Sequence, residues 1–190
     1  MTVEEFNTEG VLIIANSTKC KEYYSQNDFN YDYPEGLAAL LKQGIIHIIT
    51  AEELLDLIEF VFDQDEIDLE AWEYVDTYNY LNVAEGDEIH LISHATFTQM
   101  CSNHNGDLDA QIESSLRIRN IFNRENPIRK ETLLEEEFPL LDLSSGQWKV
   151  NVYKGKHEYA YSFSRVLFFL EKMKTVDPDK ITLEPFEIYG

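Results

Sequence analysis

The sequence predicts one α+β domain spanning residues 1–190, with a mixed but largely antiparallel sheet and several short helices. Three observations carry that prediction. Short β-branched runs and alternating stretches recur along the chain, most of them closed by turn residues. Helix-start and helix-stop residues follow the early strands, whereas hairpin signals dominate the C-terminal half. The composition, 44% hydrophobic and 13% aromatic over 190 residues, is enough for a substantial core in a chain that folds on its own.

In chain order, residues 11–15 (Val-Leu-Ile-Ile-Ala) form a continuous apolar run between Gly10 and Asn16, the pattern of a buried strand. Residues 23–33 set Tyr23, Tyr24, Phe29, Tyr31 and Tyr33 among polar residues and read as a loop pinned by its rings. Pro34 through Gln43 reads as a short helix stopped by Gly44, and a strand follows at 45–49. Thr50-Ala51-Glu52-Glu53 has the form of a capping box, so a helix is expected from Thr50. At 100° per residue Glu52, Asp56, Glu59 and Asp63 would share one exposed stripe of that helix. The acidic stretch after Asp63 is not a calcium loop, because the sixth and twelfth positions hold Asp68 and Tyr74 rather than Gly and Glu.

Alternation over residues 74–83 predicts a strand, and a turn at 84–87 pairs it with a strand at 88–92 as a hairpin. Ser93 is the expected cap of a short helix ending near Asn105-Gly106, with a longer helix over 107–123. Residues 124–146 are irregular, bracketed by Pro127 and Pro139, with Glu135, Glu136 and Glu137 exposed. Trp148, Val150 and Val152 alternate with polar residues and are expected to pair in a hairpin with Tyr159, Tyr161 and Phe163. Residues 164–173 suit either a capped helix or a strand, 177–179 a turn, and 181–189 a final edge strand containing Pro185.

Charge is unevenly placed. The chain carries 36 Asp and Glu against 15 Lys and Arg, and no Lys or Arg lies between Lys42 and Arg117. Seventeen carboxylates occupy that interval, eleven of them from Glu52 to Asp76, while residues 117–190 hold twelve charges of each sign. Such a field repels nucleic-acid backbones and anionic lipid, so neither is expected as a direct partner; a basic protein is. The N-terminus lacks the basic start and apolar run of a secretory signal, and no apolar run spans a bilayer, which makes a cytoplasmic location the expectation. Cys20 and Cys101 read as reduced thiols.

Motifs with a mechanism are missing: there is no phosphate-cradling loop, dinucleotide fingerprint, HExxH, CxxC pair or nucleophile elbow, so no catalytic residue and no cofactor is assigned. A metal reading rests on His94, Cys101 and His104, which would fall in about an 80° sector of one helix, with His90 nearby. Their spacing fits no standard zinc arrangement, and a cysteine on such a helix is more often a core residue.

Two functional expectations result. The leading one is an acidic protein-binding module that neutralises or scaffolds a basic partner through Glu52, Asp56, Glu59, Asp63, Asp65, Glu66, Tyr78 and Tyr80. In size, acidity and absence of a catalytic motif, though in no family motif, the chain resembles immunity proteins that block basic nuclease-type toxins. The alternative is a small enzyme or ligand-binding protein whose site gathers Tyr78, Tyr80, His90 and His94 across the expected hairpin.

Overall fold

The computed structural model describes residues 1–30, 32, 35–156 and 164–184. In chain order the elements are β1 (Thr2–Asn7), β2 (Val11–Asn16), α1 (Ser17–Tyr24), α2 (Ala38–Lys42), β3 (Ile46–Thr50), β4 (Leu54–Val61), β5 (Trp72–Val75) and β6 (Tyr80–Val83). There follow β7 (Ile89–Ser93), α3 (His94–His104), α4 (Leu108–Phe122), α5 (Lys130–Glu137), β8 (Leu140–Leu141), β9 (Gly146–Gly155) and β10 (Arg165–Met173). The α+β class expected from the sequence is the class observed.

The strands form two sheets. The larger runs β1-β4-β10-β9-β5, with β6 also on β9, and the smaller runs β3-β2-β7-β8. Only the β4–β10 pair is parallel among the described residues. Apolar residues of both sheets meet in one core: Leu12, Ile14, Leu55, Ile58, Leu81, Leu91, Val150 and Phe168 are all buried there. The opposite side of the smaller sheet meets the helices, where Ile13, Ala15, Ile46 and Ile92 pack against Leu40, Phe97, Met100, Ile112 and Leu133. Three layers result: large sheet, small sheet, helices. This explains the unbroken apolar run of β2, since a strand covered on both faces has no polar side to alternate with.

The helix expected from Thr50 is a strand. Thr50 ends β3, and residues 54–61 pair with β1 on one side and β10 on the other. A β-bulge explains the misreading: the N–H groups of Asp56 and Leu57 both donate to the Ser164 carbonyl, at 2.8 and 3.3 Å. The bulge shifts the alternation, so the core side of β4 carries Leu55, Ile58 and Phe60, and Asp56 and Glu59 outside that core keep a three-residue spacing that fits a helical stripe.

The expected hairpin between residues 74–83 and 88–92 does not form. The first stretch splits into β5 and β6, both pairing with β9, while β7 pairs with β2 and β8 in the other sheet. Between them Asp87 holds the crossing, accepting from Ala84 N–H at 2.7 Å and from Asn16 Nδ2 at 2.6 Å. Leu81 and Val83 thereby face Ile89 and Leu91 across the inter-sheet core instead of lying beside them.

Other boundaries follow local chemistry. α1 occupies the start of the stretch expected as a loop, capped by Asn16 Oδ1 accepting from Lys19 N–H at 3.1 Å. α2 is shorter than expected, and Pro34, Tyr31 and Tyr33 lie outside the described residues. α3 begins at Ser93, but the cap is supplied by Glu9, whose carboxylate accepts from Ala95 N–H at 3.0 Å and from Ser93 Oγ at 3.0 Å. Asn105 ends α3 in the left-handed region at φ 50° and Asp107 caps α4, as the sequence suggested. α5 was not expected within 124–146; Leu133 anchors it in the core, and Glu137, only half-exposed, is held by Arg119.

β9 pairs with β10, which resolves residues 165–173 as a strand. Tyr159, Tyr161 and Phe163 lie outside the described residues. Of the expected last strand, residues 181–184 are not in a strand and 185–189 are not described. Among the described residues no helix is long and apolar enough to cross a membrane.

Candidate functional site

The residues named for partner binding fall on the outer side of the large sheet and in the loop leaving β4, except where burial removes them. Glu52 is exposed before β4, whereas the half-buried Asp56 accepts from Ser164 N–H at 2.8 Å. Half-buried Glu59 stands 3.9 Å from the Arg165 guanidinium. Asp63, Asp65 and Glu66 are exposed, with Asp63 Oδ1 accepting from Asp65 N–H at 3.0 Å at the head of a 3-10 turn. The expected single helical stripe is therefore replaced by two settings, a strand face and a loop.

Tyr80 is withdrawn from any surface: it is buried and its hydroxyl donates to the Lys42 carbonyl at 2.7 Å. Tyr78 is half-buried, and its hydroxyl accepts from Asp177 N–H at 3.1 Å.

Folding also returns cations to the acidic window. Arg165 meets Glu59, Lys154 Nζ lies 3.9 Å from Glu73, and Lys156 donates to the Leu69 carbonyl. Among the described residues, however, no ion pair reaches Asp63, Asp65, Glu66, Asp68 or Glu70. The excursion between β4 and β5 thus carries five carboxylates outside these ion pairs, as Glu52, Glu53, Asp76, Glu85 and Glu113 are elsewhere in the window.

That excursion is built on aromatic and aliphatic groups that the sequence reading left aside. Ile67 and Trp72 pack on Tyr153 and Leu167 of the outer sheet face, and the Arg165 guanidinium sits 4.8 Å above the Trp72 ring. Tyr74 rests against Tyr153 with ring centroids 5.2 Å apart, and Phe62 meets Trp148 edge-on at 5.8 Å. On this side Leu69 and Tyr74 remain 64% and 43% exposed, while Phe62, 49% exposed, starts the excursion against Trp148 at the margin of the inter-sheet core. Large apolar side chains rimmed by carboxylates suit a protein-binding surface. The available signal was Leu69 standing between Asp68 and Glu70.

A groove of about 1120 Å³ lies elsewhere, between β1, α1, the start of α4, and α5. Leu108, Ile112, Leu134 and Phe138 supply apolar lining, and His90 Nδ1 meets the Phe138 carbonyl at 2.8 Å. Its lysines are tied to aspartates: Lys21 to Asp107 at 2.7 Å and Lys130 to Asp109 at 2.9 Å. Asp107 is held below the usual carboxylate range because the Lys21 bond and backbone N–H groups outweigh the upward push of burial. The bond to Asp107 raises Lys21 in turn, and the bond to Asp109 raises Lys130.

Of the alternative site, Tyr80 lies on β6 and Tyr78 just before it, both against the helix-side core, while His90 is on β7 and His94 opens α3. The Tyr80 hydroxyl is bonded to the Lys42 carbonyl and His90 Nδ1 to that of Phe138. Cys101 is buried in the helix core near Cys20 and Tyr24, and burial pushes both thiols up, so they are inert rather than metal-binding thiolates. Among the described residues no three His, Cys, Asp or Glu side chains gather to hold a metal, so His94, Cys101 and His104 do not form the site considered for them. No family model, no curated protein and no solved structure matches this chain.

Proposed function

We propose that this chain is an acidic protein-binding module that neutralises a basic protein, in the manner of an immunity-type inhibitor of a toxin. The observation that carries the reading is the 62–76 excursion, where Phe62, Leu69 and Tyr74 are exposed along a stretch whose Asp63, Asp65, Glu66, Asp68 and Glu70 have no ion pair among the described residues. Opposite charge steers encounter and enforces partner choice, while the apolar groups supply affinity. Beyond about 8 Å at physiological salt the field is screened, so the acids govern association more than residence.

Of the residues first expected at the interface, Asp63, Asp65 and Glu66 remain in it. Leu69, Phe62 and Tyr74 replace the withdrawn Tyr80 as anchors. The test takes a basic toxin domain encoded next to this chain and measures association by stopped flow at low and high salt. A salt-sensitive on-rate, with Phe62→Ser or Leu69→Ser weakening affinity at least tenfold, is the expected result. An on-rate indifferent to salt removes the steering role, and unchanged affinity in both variants removes the interface.

A further inference from the structure

We propose that the outward face of α4 is the contact surface for a second copy of this chain, packed antiparallel about a two-fold axis near the middle of the helix. At 100° per residue Ala110, Glu113, Ser114, Arg117, Ile118 and Ile121 lie within about a 140° arc. The buried Leu108 and Ile112 point the other way, into the helix core. Ile118 and Ile121 are 52% and 53% exposed, and Phe122 beside them is 82% exposed. Among the described residues neither isoleucine belongs to a buried core cluster.

The pattern is complementary to itself when reversed. With the axis between residues 115 and 116, Glu113 and Arg117 of the second copy, and Arg117 and its Glu113, come within one residue's rise of each other on the same side of the contact, both exposed in the single chain. Ser114 then meets Ile118, and Ala110 meets Ile121, each a small side chain opposite a large one. Charge is segregated on this face, with Glu113 toward the helix start and Arg117 toward its end, while Asp107, Asp109 and Arg119 are already paired within the chain to Lys21, Lys130 and Glu137. Antiparallel alignment pairs unlike ends, whereas parallel alignment sets like charges together. A two-fold contact of this kind closes on itself and gives a dimer rather than a fibre.

The surface lies in the helix layer, two layers from the acidic excursion, so this inference stands or falls apart from the proposed function. Its test is sedimentation velocity of the full chain over a concentration series reaching hundreds of micromolar at physiological salt. The expected result is a concentration-dependent species of twice the chain mass, weakened at least tenfold by Ile118→Glu with Ile121→Glu. Arg117→Glu, and separately Glu113→Arg, should each be monomeric. Mixing those two charge-swapped chains should restore the dimer, because each reversed end then meets its complement. A wild type that stays monomeric throughout, a dimer indifferent to the isoleucine changes, or a mixture that stays monomeric would each overturn the proposal.

Discussion

His47 offers a quantitative test of the inter-sheet core. It sits on β3, wholly buried, with its ring edge-on to Phe168 at 5.8 Å, and burial pulls its pKa from 6.5 down to about 3. Above pH 6.5 the imidazole is neutral whether the chain is folded or unfolded, and it adds no pH dependence. Between 6.5 and about 3 only the unfolded chain binds the proton, so stability falls as pH falls, by about 1.4 kcal/mol per unit. Going from about pH 7 to about pH 4.5 should therefore remove roughly 2.5 kcal/mol through this one residue. Carboxylates titrate over part of the same range, and the comparison with His47→Leu removes their contribution. Urea unfolding of both chains across this range is the assay. The wild type should lose about 2.5 kcal/mol more than the variant. Parallel curves would mean that the folded chain protonates His47 freely, and that the core between the sheets is not dry.

Two further changes probe packing. Phe168→Ala empties the centre of the same core, where Phe168 is fully buried and stacked on Phe60 at 5.1 Å, and should cost about 3–5 kcal/mol by urea unfolding. Gly106→Ala would place a Cβ 2.5 Å from the Cys20 carbonyl oxygen at φ +75°, whereas Gly86→Ala at φ +86° meets nothing within 4 Å. The second should cost only the left-handed penalty, about 1–2 kcal/mol, and the first clearly more, because the backbones of α1 and the α3 end must separate. Equal melting shifts for the two glycines would contradict that close approach.

The features legible in the sequence were those set by neighbouring residues. The apolar run of β2, the helix end near Asn105-Gly106, the helix over about 107–123 and the alternation of β9 all follow from local chemistry. What misled was long-range. The bulge at Asp56 and Leu57 exists only because β10 lies alongside, and it turned a strand into a sequence with helical spacing. The turn at 84–87 looks like a hairpin until Asp87 is seen bonded to Asn16 of the other sheet.

The site was affected in the same way. A stretch without Lys or Arg in sequence receives Arg165 and Lys154 in space, so only part of the acidic window stays uncompensated. Tyr80 alternates as an exposed residue would, yet it turns into the helix-side core. The rest of the surface, with Tyr74 against Tyr153 beside Trp72, depends on β9 pairing with β5 and was beyond the reach of local patterns.

If a basic partner binds this chain, the 62–76 excursion should meet it. Hydrogen–deuterium exchange of the full chain, with and without a basic protein domain that binds it, is the direct test. Protection should concentrate in residues 62–76 and the facing part of β9, leaving α1, α4 and α5 unchanged by the partner. Protection along the groove between α1 and α5, with residues 62–76 exchanging as in the free chain, would contradict it.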